Sequence, residues 1–134
     1  MRHKVYGKHL GRDKNQRTAL LRGLVRSLLL HESITTTKAK AAAIKGLMDR
    51  LIVKSKEKTN ASLNVVHSTL PNVEISKKLI EEIAPRYQKR TSGFTRTVKV
   101  GRRLGDGALM VKMSLIEADQ VEPKKEKTVV KKEK

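Results

Sequence analysis

The chain has no cysteine and no tryptophan, and Tyr6, Tyr87 and Phe94 are its only aromatic residues. Without cysteine there is no disulfide framework, no thiolate metal site and no cysteine nucleophile. With so few rings a core has to be aliphatic. The stacking platforms of RNA-recognition modules and single-strand binders also have nothing to be built from. No apolar run exceeds a few residues, and the opening Met1-Arg2-His3-Lys4 has no apolar stretch behind it. The expectation is a soluble, cytosolic chain with neither a membrane span nor a secretory signal. Acids are the other shortage: 13 Asp and Glu face 31 Lys and Arg, a formal charge of +18 on 134 residues.

What is present suffices for one domain. Leu, Ile, Val and Phe number 35, enough to sustain a core at this length. Residues 1–58 carry +11, residues 59–105 carry +6 and residues 106–134 only +1, so the charge belongs to the part that reads as folded. From Glu117 to Lys134 six Lys alternate with five acids around Pro123. That segment has little to bury, and 118–134 is expected to be a disordered tail. Unbalanced charge on the remainder repels itself, and a polyanionic partner relieves the repulsion. A surface that serves only solubility mixes both signs, and this one does not.

Residues 1–14 read as an extended basic arm, with Arg2, Lys4, Lys8, Arg12 and Lys14 interleaved with Gly7, Gly11, His3 and His9. The alternative is a frayed terminus. A globular α+β domain is expected over 15–117. Its first helix runs from about Lys14 to Leu30 with Asp13 or Asn15 as N-cap. Leu20, Leu21, Leu24, Val25 and Leu28 share one arc, and Arg22 and Arg26 stand one turn apart on the opposite face. Burial on one side and paired guanidiniums on the other suits a helix lying between core and phosphate; a solvated face is the alternative. Ile34-Thr35-Thr36-Thr37 then disfavours helix and offers a capping hydroxyl for the next one. The second helix spans about Lys38 to Lys56, striped by Ala41, Ile44, Leu47, Met48, Leu51 and Ile52, with Lys38, Lys45 and Lys56 beside the stripe. A third is expected from Ala61 to Leu70, capped by Asn60. A fourth runs from Val73 to Ala84 and ends at Pro85, with Leu79, Ile80 and Ile83 inward.

Between Glu82 and Asp106 the chain has seven cations and no acid: Arg86, Lys89, Arg90, Arg96, Lys99, Arg102 and Arg103. Phe94 to Val100 alternates like a half-buried strand, and Ala108 to Ile116 does so with Leu109, Val111, Met113 and Leu115 inward. A glycine-rich loop over 101–107 joins them. Two strands alone are marginal, so a third, from Ser33 to Thr36, or packing on the helices completes a small sheet.

Catalysis has little support. His3, His9, His31 and His67 are scattered, Glu81 and Glu82 point about 100° apart on a helix, and Asp106 between glycines reads as a turn residue. No phosphate-binding glycine loop, metal-ligand spacing or nucleophile elbow occurs. No enzyme, metal or cofactor is expected; a small basic nuclease would need His31 or His67. Counterion release by Lys and Arg gives nucleic-acid affinity without any special motif. On the residues alone, architectural RNA binding and architectural DNA binding in the nucleoid stand level.

Four stretches in register tip the balance. Met1-Arg2-His3-Lys4 with Gly7-Lys8, Leu10, Arg12 and Arg17 resembles the start of the ribosomal protein L-seventeen family of the bacterial large subunit. Leu28 to Glu32 with Ile34-Thr35-Thr36 and Lys38-Ala39-Lys40-Ala41 is similar to its central signature. Ser92-Gly93-Phe94-Thr95-Arg96 resembles its Gly-Gly-Tyr-Thr-Arg turn, and Arg103, Gly105-Asp106 and Ala108-Leu109-Met110 its closing strand. The resemblance covers residues 1 to about 117. It implies a structural constituent of the large subunit that binds large-subunit rRNA beside neighbouring ribosomal proteins. Carried over by position, rRNA contact falls on Arg2, His3, Lys4, Lys8, Arg12 and Arg17, on Thr36, Lys38 and Lys40, and on Arg90, Gly93, Thr95, Arg96 and Arg103. The helix face adds Arg22 and Arg26, and the acid-free stretch adds Arg86, Lys99 and Arg102. Ser92 and Phe94 depart from the family's Gly and Tyr, which removes an aromatic hydroxyl from that turn.

Overall fold

The structure, a computed structural model, describes residues 7–116. Its fold class is the expected α+β, helices first and a small sheet completed late in the chain.

Helix α1 (Lys14–His31) buries Val25, Leu28 and Leu29, with Leu21 and Leu24 packed at the margin. Asp13 occupies the N-cap with extended backbone, and its carbonyl, rather than its carboxylate, accepts the Arg17 N–H at 2.8 Å. The helix ends at Glu32, which takes a left-handed φ of 57°, a position where glycine is usual. Two bonds hold Glu32 there: its carbonyl accepts the Leu115 N–H at 2.9 Å and its carboxylate pairs with Arg86 at 2.9 Å.

Strand β1 (Ser33–Thr37) is the third strand that the sheet required. Helix α2 (Lys38–Glu57) buries Ala41, Ile44, Met48, Leu51 and Ile52, as its stripe predicts. It packs against α1, against the helices that follow and against all three strands, which makes it the hub of the core. Thr37 stands at its N-cap, yet the hydroxyl makes no capping bond. Helix α3 (Asn60–Thr69) is capped by Thr59, whose hydroxyl accepts the Ser62 N–H at 3.2 Å. The expected cap, Asn60, is therefore the first helical residue. Nearby, Glu57 accepts the Ser62 hydroxyl and then Lys54, and these bonds hold its carboxyl below the ordinary range.

The fourth helical stretch differs more from expectation. It is built from α4 (Val73–Lys77), a π-helical segment (Lys78–Ile83) and a last turn, α5 (Ala84–Arg86), so Pro85 lies inside it rather than ending it. In an α-helix a proline ring collides with the carbonyl four residues back. The π segment closes with the Ala84 N–H donating to Leu79, five residues back, and this wider turn admits the ring. Ile75, Leu79 and Ile83 are buried.

Strands β2 (Thr95–Arg102) and β3 (Leu109–Leu115) pair antiparallel, giving the order β1-β3-β2. Ile34 opposite Met113 and Thr36 opposite Val111 fix one face inward, joined by Leu115 and Thr95. β3 follows its predicted alternation, but β2 does not. Only Thr95 in it is buried: Thr97 and Lys99, on the same side as Thr95, are exposed, and so are Val98, which faces the other way, and Val100. A bulge between Lys99 and Gly101 shifts the register there.

Three surface cations are spent on backbone carbonyls inside the fold. Lys78 donates to Leu30 near the end of α1 and Arg22 to Ser68 near the end of α3, both at 2.9 Å, and Lys56 donates to Arg90 at 2.6 Å. Late carbonyls of a helix lack intrahelical donors, and a cation there also meets the negative end of the dipole.

Candidate nucleic-acid interface

The sheet turns one face to the helices and leaves the other open. The register sets three rows across the open face: Ser33, Ser114 and Arg96; Thr35, Lys112 and Val98; Thr37, Met110 and Gly101. Hydroxyls dominate, cations come from Lys112 and Arg96, and no acid among the described residues stands on it. Two residues assigned to rRNA contact by resemblance point the other way. Thr36 and Thr95 are buried at 9 % and 7 % exposure against the core, and the Thr95 hydroxyl has no hydrogen-bond partner. Their side chains are packing residues. Thr35, which lies in the central signature but was not assigned to contact, and Lys112, in no motif, hold outward positions.

The arm is described only from Gly7. Arg2, His3 and Lys4 lie outside the described residues, as does the tail. Lys8 is exposed, and the chain turns at Leu10, with φ of 56°, so that the Arg12 N–H donates to His9 at 3.2 Å. The Arg12 guanidinium donates to the Leu10 carbonyl at 2.8 Å, and Arg17 lies 2.9 Å from His9 Nδ1. This portion is a turn leading into α1, not a straight strand.

On the helices, Arg26 is exposed and Arg22 is engaged with Ser68. Lys38 opens α2 in solvent and Lys40 is half-buried. Among the described residues, carboxylate partners are seen for two of the seven cations in the acid-free stretch. Arg86 pairs with Glu32 across 54 residues of chain, and Arg103 pairs with Asp106. Lys99 and Arg102 are exposed on β2.

The loop over 87–94 carries Arg90 and Gly93, and α2 fastens it from beneath. Asp49 Oδ1 accepts the Phe94 N–H at 3.2 Å, Lys56 donates to the Arg90 carbonyl, and the same ammonium lies 5.7 Å from the Phe94 ring centroid. Gly93 has φ of 69°, open to glycine without strain. The Phe94 ring itself is wholly buried, so the departure from the family's Tyr alters the core and not the surface. Asp49 was missed because nothing in the sequence links residue 49 to residue 94.

At the hairpin between β2 and β3 the Arg103 guanidinium donates to both Asp106 oxygens, Nε at 3.0 Å and Nη2 at 2.5 Å, while the Ala108 N–H donates to Oδ1 at 3.2 Å. The Arg103 bonds first, and the Ala108 amide second, hold the Asp106 carboxyl well below the ordinary carboxylate range. A depressed carboxyl gives its stabilisation in full above the ordinary value and loses it progressively as pH falls from there through the lowered one, while in the folded turn the carboxylate itself stays ionised until the lowered value is reached. An NMR titration of the Asp106 carboxyl and the Ala108 amide is therefore expected to show the turn unchanged through pH 4. A midpoint at the ordinary value of about 3.9 would mean that the clamp is absent in solution.

Among the described residues no group of three or more His, Cys, Asp or Glu is placed to hold a metal ion, and no helix is long and apolar enough to cross a membrane. What the surface offers is cations on separate rigid elements around a hydroxyl-rich sheet face. That arrangement suits phosphates and shape, not base edges.

The comparisons with known proteins agree in one direction. A family model described as Ribosomal protein L17 matches residues 20–117. A large ribosomal subunit protein bL17 of Thermodesulfovibrio yellowstonii is 46% identical over 126 residues, covering 94% of this chain and 93% of that one. Proteins of the same name from Anaeromyxobacter sp. (strain K) and Phocaeicola vulgatus are 39% and 42% identical over 117 and 120 residues. These cover 87% and 90% of this chain and 74% of each relative.

Proposed function

The chain belongs to the ribosomal protein L17 family, and from that premise we propose that it binds large-subunit rRNA through backbone and shape contacts and supports assembly of the subunit in the cytoplasm. The family is one of structural large-subunit proteins, not of catalysts. The observation that carries the reading is the run from residue 83 to 105, which has no acid and which sets Lys89 and Arg90 on a loop and Lys99 and Arg102 on a strand, both fastened to an aliphatic core. Fixed spacing lets those cations neutralise phosphates of separate rRNA segments without reordering the protein at each contact, and counterion release supplies the affinity. Lys8, Arg12 and Arg26 extend the basic surface along the arm and α1. Neighbouring large-subunit proteins complete its surroundings.

Sedimentation of a cell lysate through sucrose at low magnesium tests this directly. The chain is expected to travel with the large subunit and to stay there through a moderate salt wash. Migration at the top of the gradient, or with nucleoid DNA, would replace this reading with an architectural DNA binder.

A further inference from the structure

From Arg96 to Gly107 every residue of the β2–β3 hairpin is exposed, and Leu104 at its tip is 98 % exposed. Of the six large apolar residues exposed among the described ones, three, Val98, Val100 and Leu104, lie on this hairpin, and Leu104 is the most exposed of all. A loop tip in water has no reason of its own to carry leucine, and this one is carried stiffly. The Arg103 N–H donates to the Ala108 carbonyl at 2.9 Å and the Gly107 N–H to the Arg103 carbonyl at 3.0 Å, beneath the Arg103–Asp106 clamp. Lys99 and Arg102 flank the tip on one side of β2, opposite Val111 and Leu109, and make no ion pair among the described residues.

We infer that this hairpin is an insertion element for rRNA: Leu104 lies against an unstacked base or ribose, Lys99 and Arg102 neutralise the flanking phosphates, and Arg103 is a positioning residue that shapes the tip. The inference rests on the rRNA binding proposed above. Charge decides the occupant. An apolar pocket on a protein has no need of flanking cations, and a second copy of this hairpin would set cation against cation, whereas a polyanion with exposed base faces uses both features. Arg103 differs from Arg102 because its guanidinium is already neutralised by Asp106, so releasing it to a phosphate would undo the turn that presents Leu104.

The test is equilibrium binding of the full chain to a large-subunit rRNA transcript across a salt series. Leu104→Ala is expected to weaken binding about tenfold at every salt concentration, with the slope of log K against log salt unchanged. Arg102→Gln should lower that slope by about 0.7–0.9. Arg103→Gln should weaken binding with less than half that change in slope, and Arg103→Lys, which keeps an ion pair with Asp106, should restore affinity. Leu104 touches solvent almost alone, so an unchanged melting temperature separates weakened binding from unfolding. Leu104→Ala binding like the unaltered chain would overturn the insertion role. Arg103→Gln flattening the slope as much as Arg102→Gln would make Arg103 a phosphate contact and overturn the positioning role. If the unaltered chain failed to bind the transcript, the rRNA reading itself would fall, an outcome distinct from either.

Discussion

Phe94→Ala is expected to lower folding stability by about 3–5 kcal/mol, read from urea unfolding followed by circular dichroism. The ring has no exposure, and it meets Tyr87 edge-on with centroids 5.2 Å apart and planes at 64°. Its removal leaves a cavity that an aliphatic core cannot refill, and the cavity opens beneath a junction. The Phe94 carbonyl accepts the Ile116 N–H at 3.0 Å, and the Tyr87 hydroxyl donates to the Ile116 carbonyl at 2.5 Å. The loop over 87–94, the start of β2 and the end of β3 therefore meet at this residue. A domain of this size holds about 5–15 kcal/mol in all, and the basic surface opposes compaction, so the variant sits near the unfolding threshold. A loss below about 1 kcal/mol would show that the ring is not packed as described. Asp49→Ala should loosen the same loop more mildly, because it deprives one amide of its acceptor and leaves the ring in place.

The helical half of the fold was legible because its signal is periodic. Val25 and Leu28 on α1, and Ile44, Met48, Leu51 and Ile52 on α2, recur at helical spacing and are buried. Caps were less legible, since Thr59 and Asn60 are equally good candidates and only the register chooses between them. Pro85 misled because the rule that proline ends a helix assumes α pitch, and the π segment before it changes the pitch. In the sheet, part of what was missed was available. Period-two alternation puts Thr36 on the side of Ile34, hence inward, although the resemblance assigned it an outward role. β2 was misread at its first residue: Phe94 is buried just before the strand, but within the strand Thr95 takes the inward side, so Val98 falls on the open face and Val100 lies at the bulge. The basic surface was legible as charge, but the partners of its cations were not. The Arg86–Glu32 pair spans 54 residues, and the bonds of Arg22, Lys56 and Lys78 to distant carbonyls leave no trace in the sequence.

Deleting residues 2–12 is expected to cost affinity rather than folding. The segment contains Arg2, Lys4, Lys8 and Arg12 and no acid. Among its described residues only Leu10 is even partly buried, and the core begins further along at Val25. Of the bonds that the segment makes to the helices, the deletion removes the exposed one between Arg17 and His9. The melting temperature should therefore stay close to that of the full chain. Four phosphate contacts removed would lower the slope of log K against log salt by about 3, and weaken rRNA binding by about 100- to 1,000-fold near 0.1 M salt. That exceeds the effect expected of any single cation on the sheet, because the arm supplies its charges together and has no acid of its own to offset them. In cells the truncated chain should leave the large subunit at a salt concentration that the full chain withstands. If it assembled and survived the wash like the full chain, the arm would be a bystander. The anchoring would then belong to the loop and hairpin held by α2 and β3.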